Sequence, residues 1–323
     1  MVDFRRSYER VAFYFRGTAR EIIPQRVFTR ALEQRFGAIV PEDLDPRTIA
    51  RVNYYNRMQF GAVGDSAVHI ADISRGSSRY YFDFMEYAKG FGSDVRVNYL
   101  PGDIAYVPES PTVVKSRPIE GDTRNSVLLG LNKFRHFRWV RGDITFAQKR
   151  DNVVWRGGLG NQLRHNLITR YNDHAEFDIG HTDDARQSVL PKAHLSIKEQ
   201  CRNRYIISVE GNDVATNLKW IMSSNSLCMM PRPRFETWFM EGTLVPAEHY
   251  VELLPDFSDL DDKLAFYRRH PDKALEIIGN AHDYVRQFQD KPEEDLISLL
   301  VLQKYFERSG QRQPESFSAT AFS

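Results

Sequence analysis

Two stretches of this chain place glycines directly after an apolar run, with charged groups just beyond. One is Trp155–Arg156–Gly157–Gly158–Leu159–Gly160, followed by Arg164. The other is Val209–Glu210–Gly211–Asn212–Asp213, running on to Asn217 and Lys219. A strand ending in glycines lets backbone N–H groups approach a phosphate, because no Cβ stands in the way. Arg156, Arg164 and Lys219 would add charge-assisted hydrogen bonds. Neither stretch is a G-x-x-x-x-G-K-S/T loop or a well-placed G-x-G-x-x-G, so the pattern points to an anion site without naming its ligand. Asn212 and Asp213 are equally suited to capping a helix, and Lys219 to reaching solvent.

A third constellation is Pro101–Gly102–Asp103, shortly before Lys115–Ser116–Arg117. An aspartate in the loop after a strand can act as a general base if it faces a cleft, and is a turn former otherwise. Asp72 is the next candidate for a base, then Glu109. Glu236, in Glu236–Thr237–Trp238, suits accepting hydrogen bonds from ribose hydroxyls at a cleft rim. The nine histidines form no H-x-x-x-H pair, and the carboxylates at Asp43–Asp45 and Asp259–Asp262 lack ligating surroundings, so no metal is expected.

The elements that must carry these residues alternate between strand and helix. Strands are predicted at 67–73, 95–99, 112–114, 152–155, 205–209, 226–230 and 249–254. Helices are predicted over 27–36, 80–87, 214–222, 274–288 and 293–307. This rhythm argues for an α/β fold with parallel sheets. A polar break at 141–151 divides the chain into an N-terminal domain (1–145) and a second domain (146–291). The Ser- and Gln-rich stretch 309–323 reads as a disordered tail.

At 323 residues the chain has room for two domains. Lys and Arg number 44 against 43 Asp and Glu, so no global charge drives nucleic-acid binding. Charge is uneven locally, with nine basic residues and two aspartates between 131 and 170. Two cysteines exclude a disulfide framework and a four-cysteine zinc site. No apolar run approaches the ~20 residues needed to span a bilayer, and no secretory signal is read at the N-terminus. A cytoplasmic protein is expected, with peripheral contact to the inner membrane left open.

The blocks Trp155–Gly158 with Arg164, Tyr205–Gly211, Ser223–Ser226, Glu236–Phe239, His249–Val251 and Ser258–Leu260 resemble, in order and spacing, the capsule-associated-protein-type glycosyltransferases of family 90. Residues 112–119 and 212–219 are most similar to its bacterial lipopolysaccharide-modifying branch. The resemblance implies a GT-B fold: two Rossmann-like domains facing across a cleft, with the C-terminal helix at about 292–308 packing back on the first domain. It implies an inverting, metal-independent transfer from a UDP-sugar to a lipopolysaccharide core or other lipid-linked glycan. By motif, Asp103 matches the general base. Arg156, Gly157, Gly158 and Arg164 match the donor block, and Gly211 with the following helix start, Asn212 to Lys219, matches the pyrophosphate cradle. Glu236 falls on the donor side, and Lys115 and Arg117 on the acceptor side. The chain departs from eukaryotic protein-glucosylating relatives in Gly157–Asn161, in Asn217 where they have arginine, and in Ala215 where they have serine. The alternative is a glycan- or nucleotide-binding protein that kept the fold without the activity.

Overall fold

A computed structural model describes residues 4–183 and 190–322. The chain forms two compact units, Met1–Phe134 with Asp290–Ser323, and Arg135–Gln289. The chain leaves the first unit within a short helix, α5 (Lys133–His136), about ten residues before the polar break in the sequence. That break is internal to the second unit. Asp143 pairs with the buried Lys149 at 2.6 Å and accepts the backbone N–H of Asn225 at 2.8 Å.

In the first unit, β1 (Val68–His69), β2 (Arg96–Leu100), β3 (Thr112–Val114) and β5 (Ser126–Leu128) form one sheet in that order. β1 is antiparallel and the rest are parallel; β4 (Ser116–Pro118) lies outside this sheet. The strand expected over 67–73 is only two residues long. Ala67 and Ile70 are its buried positions, a spacing of three that suits the 3-10 turn found at Ile70–Asp72 rather than a strand's period of two. Helices α1 (Phe4–Ile22), α2 (Gln25–Gly37), α3 (Pro46–Tyr55) and α4 (Ser78–Ala88) join α11 (Lys291–Arg308), whose residues Ile297 to Glu307 are all buried. The Tyr305 hydroxyl donates to the Pro111 carbonyl at 3.0 Å and accepts the Asn98 N–H at 3.1 Å, which ties α11 to the sheet.

The stretch 309–322 is ordered, contrary to the disordered tail expected from its composition. Phe317 and Phe322 are apolar anchors in a polar background. Phe317 packs edge-on against Phe36 with ring centroids 5.2 Å apart, and α12 (Ser318–Ala321) follows it. The Gln311 side chain bonds both the N–H and the carbonyl of Arg96, as a neighbouring strand would.

In the second unit, β6 (Arg150–Gly157), β7 (Phe177–His181), β8 (Asn203–Ile207), β9 (Leu227–Pro231) and β11 (Val251–Leu253) form an all-parallel sheet. Its order is β7–β6–β8–β9–β11. Val153, Trp155, Tyr205, Ile207, Leu227 and Met229 bury one face against a core that includes α6 (Gln162–Tyr171), α9 (Leu260–Arg269) and α10 (Pro271–Arg286). The alternate residues Val154, Ile206 and Cys228 are buried too, so both faces are covered, as a parallel sheet requires. A short α7 (Ile197–Gln200) precedes β8, and the helix expected over 214–222 is confined to α8 (Leu218–Met222).

Asp83, on α4, is buried, and burial pushes its carboxyl up to about 7 against the pull of Lys133. Between the ordinary carboxylate range and about pH 7 the unfolded chain ionises at this position while the folded chain holds the proton. Stability from this group therefore falls as pH rises through that window and levels off above it. Urea midpoints compared at about pH 5 and about pH 8 test this. Asp83→Asn should lose less stability than wild type on going to the higher pH; parallel curves would assign the pH dependence elsewhere.

Candidate functional site

From β6 the chain moves first to β7 on one side, then back across to β8 on the other. The crevice outside the carboxyl ends of β6 and β8 is thus the sheet's topological switch point, where open parallel sheets bind ligands. Both glycine stretches converge there. Gly157 ends β6, and Gly211 lies just past the end of β8.

Two side chains from α6 join these strand ends. Asn161 caps the helix, accepting the Arg164 N–H at 3.0 Å. Its amide donates to the carbonyls of Glu210 at 2.7 Å and Gly211 at 2.6 Å. Arg164 donates from Nε to the Glu210 carbonyl (2.9 Å), from Nη1 to that of Gly158 (2.9 Å) and from Nη2 to that of Val209 (3.1 Å). Its guanidinium lies 5.9 Å from the centre of the Trp155 ring. Burial lowers the Arg164 pKa, while the nearby Asp183 pulls it up; the group stays cationic.

The glycines serve the protein's own groups here. A Cβ on Gly157 would come within 2.7 Å of the buried Trp155 ring, and one on Gly211 within 3.2 Å of Arg164 Nη2. One on Gly158 would lie 2.8 Å from an Asp183 oxygen. The Asp183 carboxylate accepts the Leu159 N–H at 2.5 Å. The turn after β6 therefore already holds an oxyanion on a backbone N–H, the contact expected of a phosphate.

Several expected donor residues are engaged elsewhere. Arg156 points off the other side of β6, to Asp178 at 2.5 Å and the Ala193 carbonyl at 3.0 Å. Alternation along the strand puts it opposite Trp155. Asn217 latches onto β8 through Ser208 and the Ile207 carbonyl. Lys219 does not reach solvent. It is fully buried, 2.7 Å from Glu241 and 5.2 Å from the centre of the Phe239 ring. Glu236 is fully buried in β10 (Phe235–Thr237) and Asp213 nearly so, whereas Asn212 is exposed. Two other glutamates line a shallow recess of about 10 Å³ at the ends of β8 and β9, shared with Ser208, Val214, Pro231 and Phe235. They are Glu210, which accepts the Arg234 and Phe235 N–H groups, and Glu241. Burial raises the Glu210 pKa against the opposing pull of Arg234.

In the first unit, Asp103 and Lys115 follow the carboxyl ends of β2 and β3. The two pair at 2.5 Å, the lysine buried and the aspartate side chain 29% exposed. Gly102 has φ +124°, a conformation open to glycine, and so swings the loop at Asp103. Arg117 is fully buried and not an exposed acceptor contact. It donates to the carbonyls of Tyr54 (2.7 Å), Tyr55 (3.3 Å) and Ser126 (3.0 Å), bridging α3 to β5.

The family model for glycosyl transferase family 90 matches residues 134–305. The O-glucosyltransferase LpsA of Dichelobacter nodosus is 38% identical over 309 residues, 93% of this chain and 96% of its own length. The chain belongs to glycosyl transferase family 90. Protein O-glucosyltransferase 3 of Rattus norvegicus is 25% identical over 171 residues, half of this chain and a third of its own. Uncharacterized protein 035R of Invertebrate iridescent virus 3 is 30% identical over 99 residues, 30% of this chain and 9% of its own length. The family match covers the whole switch point, from β6 through Glu241.

In this family-90 chain, Asn161, Asp183 and Glu241 join the site although sequence reasoning gave them no role there. Asn161 had the signal of an N-cap one residue before α6. Asp183 had none, since its partner in the turn lies 24 residues earlier. Arg164→Ala would leave three strand-end carbonyls without their charged donor. Each such bond contributes roughly 1.5–3 kcal/mol, so the thermal midpoint should fall, and nucleotide affinity with it. Arg164→Lys should restore little of either, because an ammonium lacks the fork that reaches carbonyls of two different turns. Unchanged nucleotide affinity in both variants, read by calorimetry, would remove Arg164 from the site.

Proposed function

We propose that this chain transfers glucose from UDP-glucose to a hydroxyl of a lipopolysaccharide core or similar lipid-linked glycan, with inversion at the anomeric carbon. The observation that carries the reading is the junction of two glycine turns by Arg164 and Asn161 at the β6/β8 switch point, in a chain of this family. Glucose is suggested by the names of the bacterial and rat relatives, both O-glucosyltransferases. UDP, inversion and a GT-B arrangement of the two units follow from the family resemblance.

In this reading the diphosphate lies at the switch point. The positive end of α6, the turn N–H groups and the Arg164 charge act on the negative charge that develops as UDP leaves. The Asp183 carboxylate gives up the Leu159 N–H to a phosphate oxygen. Glu210, at the neighbouring recess, offers an acceptor for donor hydroxyls, the part expected of Glu236 towards the ribose, while Glu241 stays buried on Lys219 and Thr237. Asp103 takes the proton of the acceptor hydroxyl. The hydroxyl oxygen then bonds to the anomeric carbon as the bond to UDP breaks, and UDP departs with the electron pair. Lys115 orients the Asp103 carboxylate. No step requires a metal.

Asp103→Asn keeps the shape of the loop and removes the proton acceptor. Turnover should drop about 10²–10⁴-fold with UDP affinity nearly unchanged, and wild-type turnover should be undiminished in EDTA. Near-wild-type turnover in Asp103→Asn would place the base elsewhere. UDP-glucose binding without transfer to any glycan would favour a binding protein of the same fold.

A further inference from the structure

Helix α1 has two apolar faces, and the protein covers one of them. Phe13, Tyr14 and Gly17 face α4, with Phe13 and Tyr14 rings 6.1 Å and 6.0 Å from that of Phe82. A Cβ on Gly17 would lie 2.5 Å from the Phe82 ring, so this contact is close enough to fix the rotation of α1. The opposite face carries Tyr8, Val11, Phe15 and Ile22, which are 74%, 67%, 72% and 80% exposed. Their spacing of three, four and seven residues puts them on one stripe. Ile23, between the helices, and Val27, at the start of α2, are exposed as well. Single exposed apolar residues are ordinary, but a continuous stripe of this kind marks an interaction surface.

Charge identifies the occupant. Helices α1 and α2 together contain eight arginines and three glutamates, in a chain whose net charge is only +1. Arg16 on α1 and Arg26 and Arg30 on α2 are exposed. An apolar face with arginines at its margins is the pattern of a helix lying in the plane of an anionic bilayer. At 19 residues α1 is about 28 Å long, and among the described residues no helix is long and apolar enough to cross a membrane.

We propose that the exposed stripe of α1, with the start of α2, docks this protein on an anionic lipid surface. Phe15 and Ile22 enter the acyl boundary, and the arginines meet the phosphate headgroups. This placement rests on α1 and α2 and stands whether or not the donor reading is right.

Flotation with vesicles of phosphatidylethanolamine and phosphatidylglycerol, against phosphatidylcholine alone, tests it. The full chain should float with the anionic vesicles at least about tenfold more than with the neutral ones, and high salt should weaken that binding. The double variant Phe15→Ser, Ile22→Ser should lose vesicle binding by at least about tenfold while keeping its circular dichroism and its thermal midpoint. Equal flotation of wild type and variant would overturn the proposal. So would light scattering that finds wild type a dimer, the variant a monomer and neither on vesicles, since the stripe would then cover a second copy.

Discussion

One guanidinium holds the carboxyl ends of two non-consecutive strands in register. Arg164 reaches the Gly158 carbonyl after β6 and the Val209 and Glu210 carbonyls after β8. These carbonyls have no strand partner where the sheet stops, and a cation is the strongest donor they can find. The arrangement constrains its surroundings. Trp155 must lie beneath the guanidinium, Gly157 must spare the Trp155 ring, and Gly211 must spare Nη2. Asn161 repeats the link from the preceding turn of chain.

This explains a feature that would be odd in a purely structural motif. A half-buried arginine, a helix N-terminus and a turn N–H all concentrate positive potential at one switch point, and among the described residues the Asp183 carboxylate answers it. On the proposed reading, a diphosphate would satisfy the same groups with more charge and more oxygens. The second charged centre, Asp103 with buried Lys115, likewise sits where parallel strands end in its own unit. In both units the sheet supplies rigid ends, and the loops beyond them hold the residues to which the chemistry is proposed to fall.

Much of this was legible in the sequence. The period-two and helical patterns fixed most strands of the second unit, and glycine after an apolar run marked both turns. The switch point itself was hidden, because β7 reads Phe-Asp-Ile-Gly-His, with two apolar residues among polar ones and glycine. Without β7 there is no reversal of strand order. The partners of charged side chains were hidden as well. Lys219 has the spacing of a surface lysine, yet Glu241 and the Phe137 and Phe239 rings enclose it. Arg117 follows a strand like a ligand-facing group, yet carbonyls from α3 surround it. The tail was misread because two phenylalanines outweigh nine polar neighbours once Phe317 packs on Phe36 and Phe322 on Phe317.

The account stands on the claim that the β6/β8 turns hold the donor diphosphate. Hydrogen–deuterium exchange of the full chain with and without UDP-glucose tests this most directly. Protection should concentrate in peptides covering 157–164 and 208–214. Donor binding that leaves both stretches unchanged and protects amides elsewhere would contradict it.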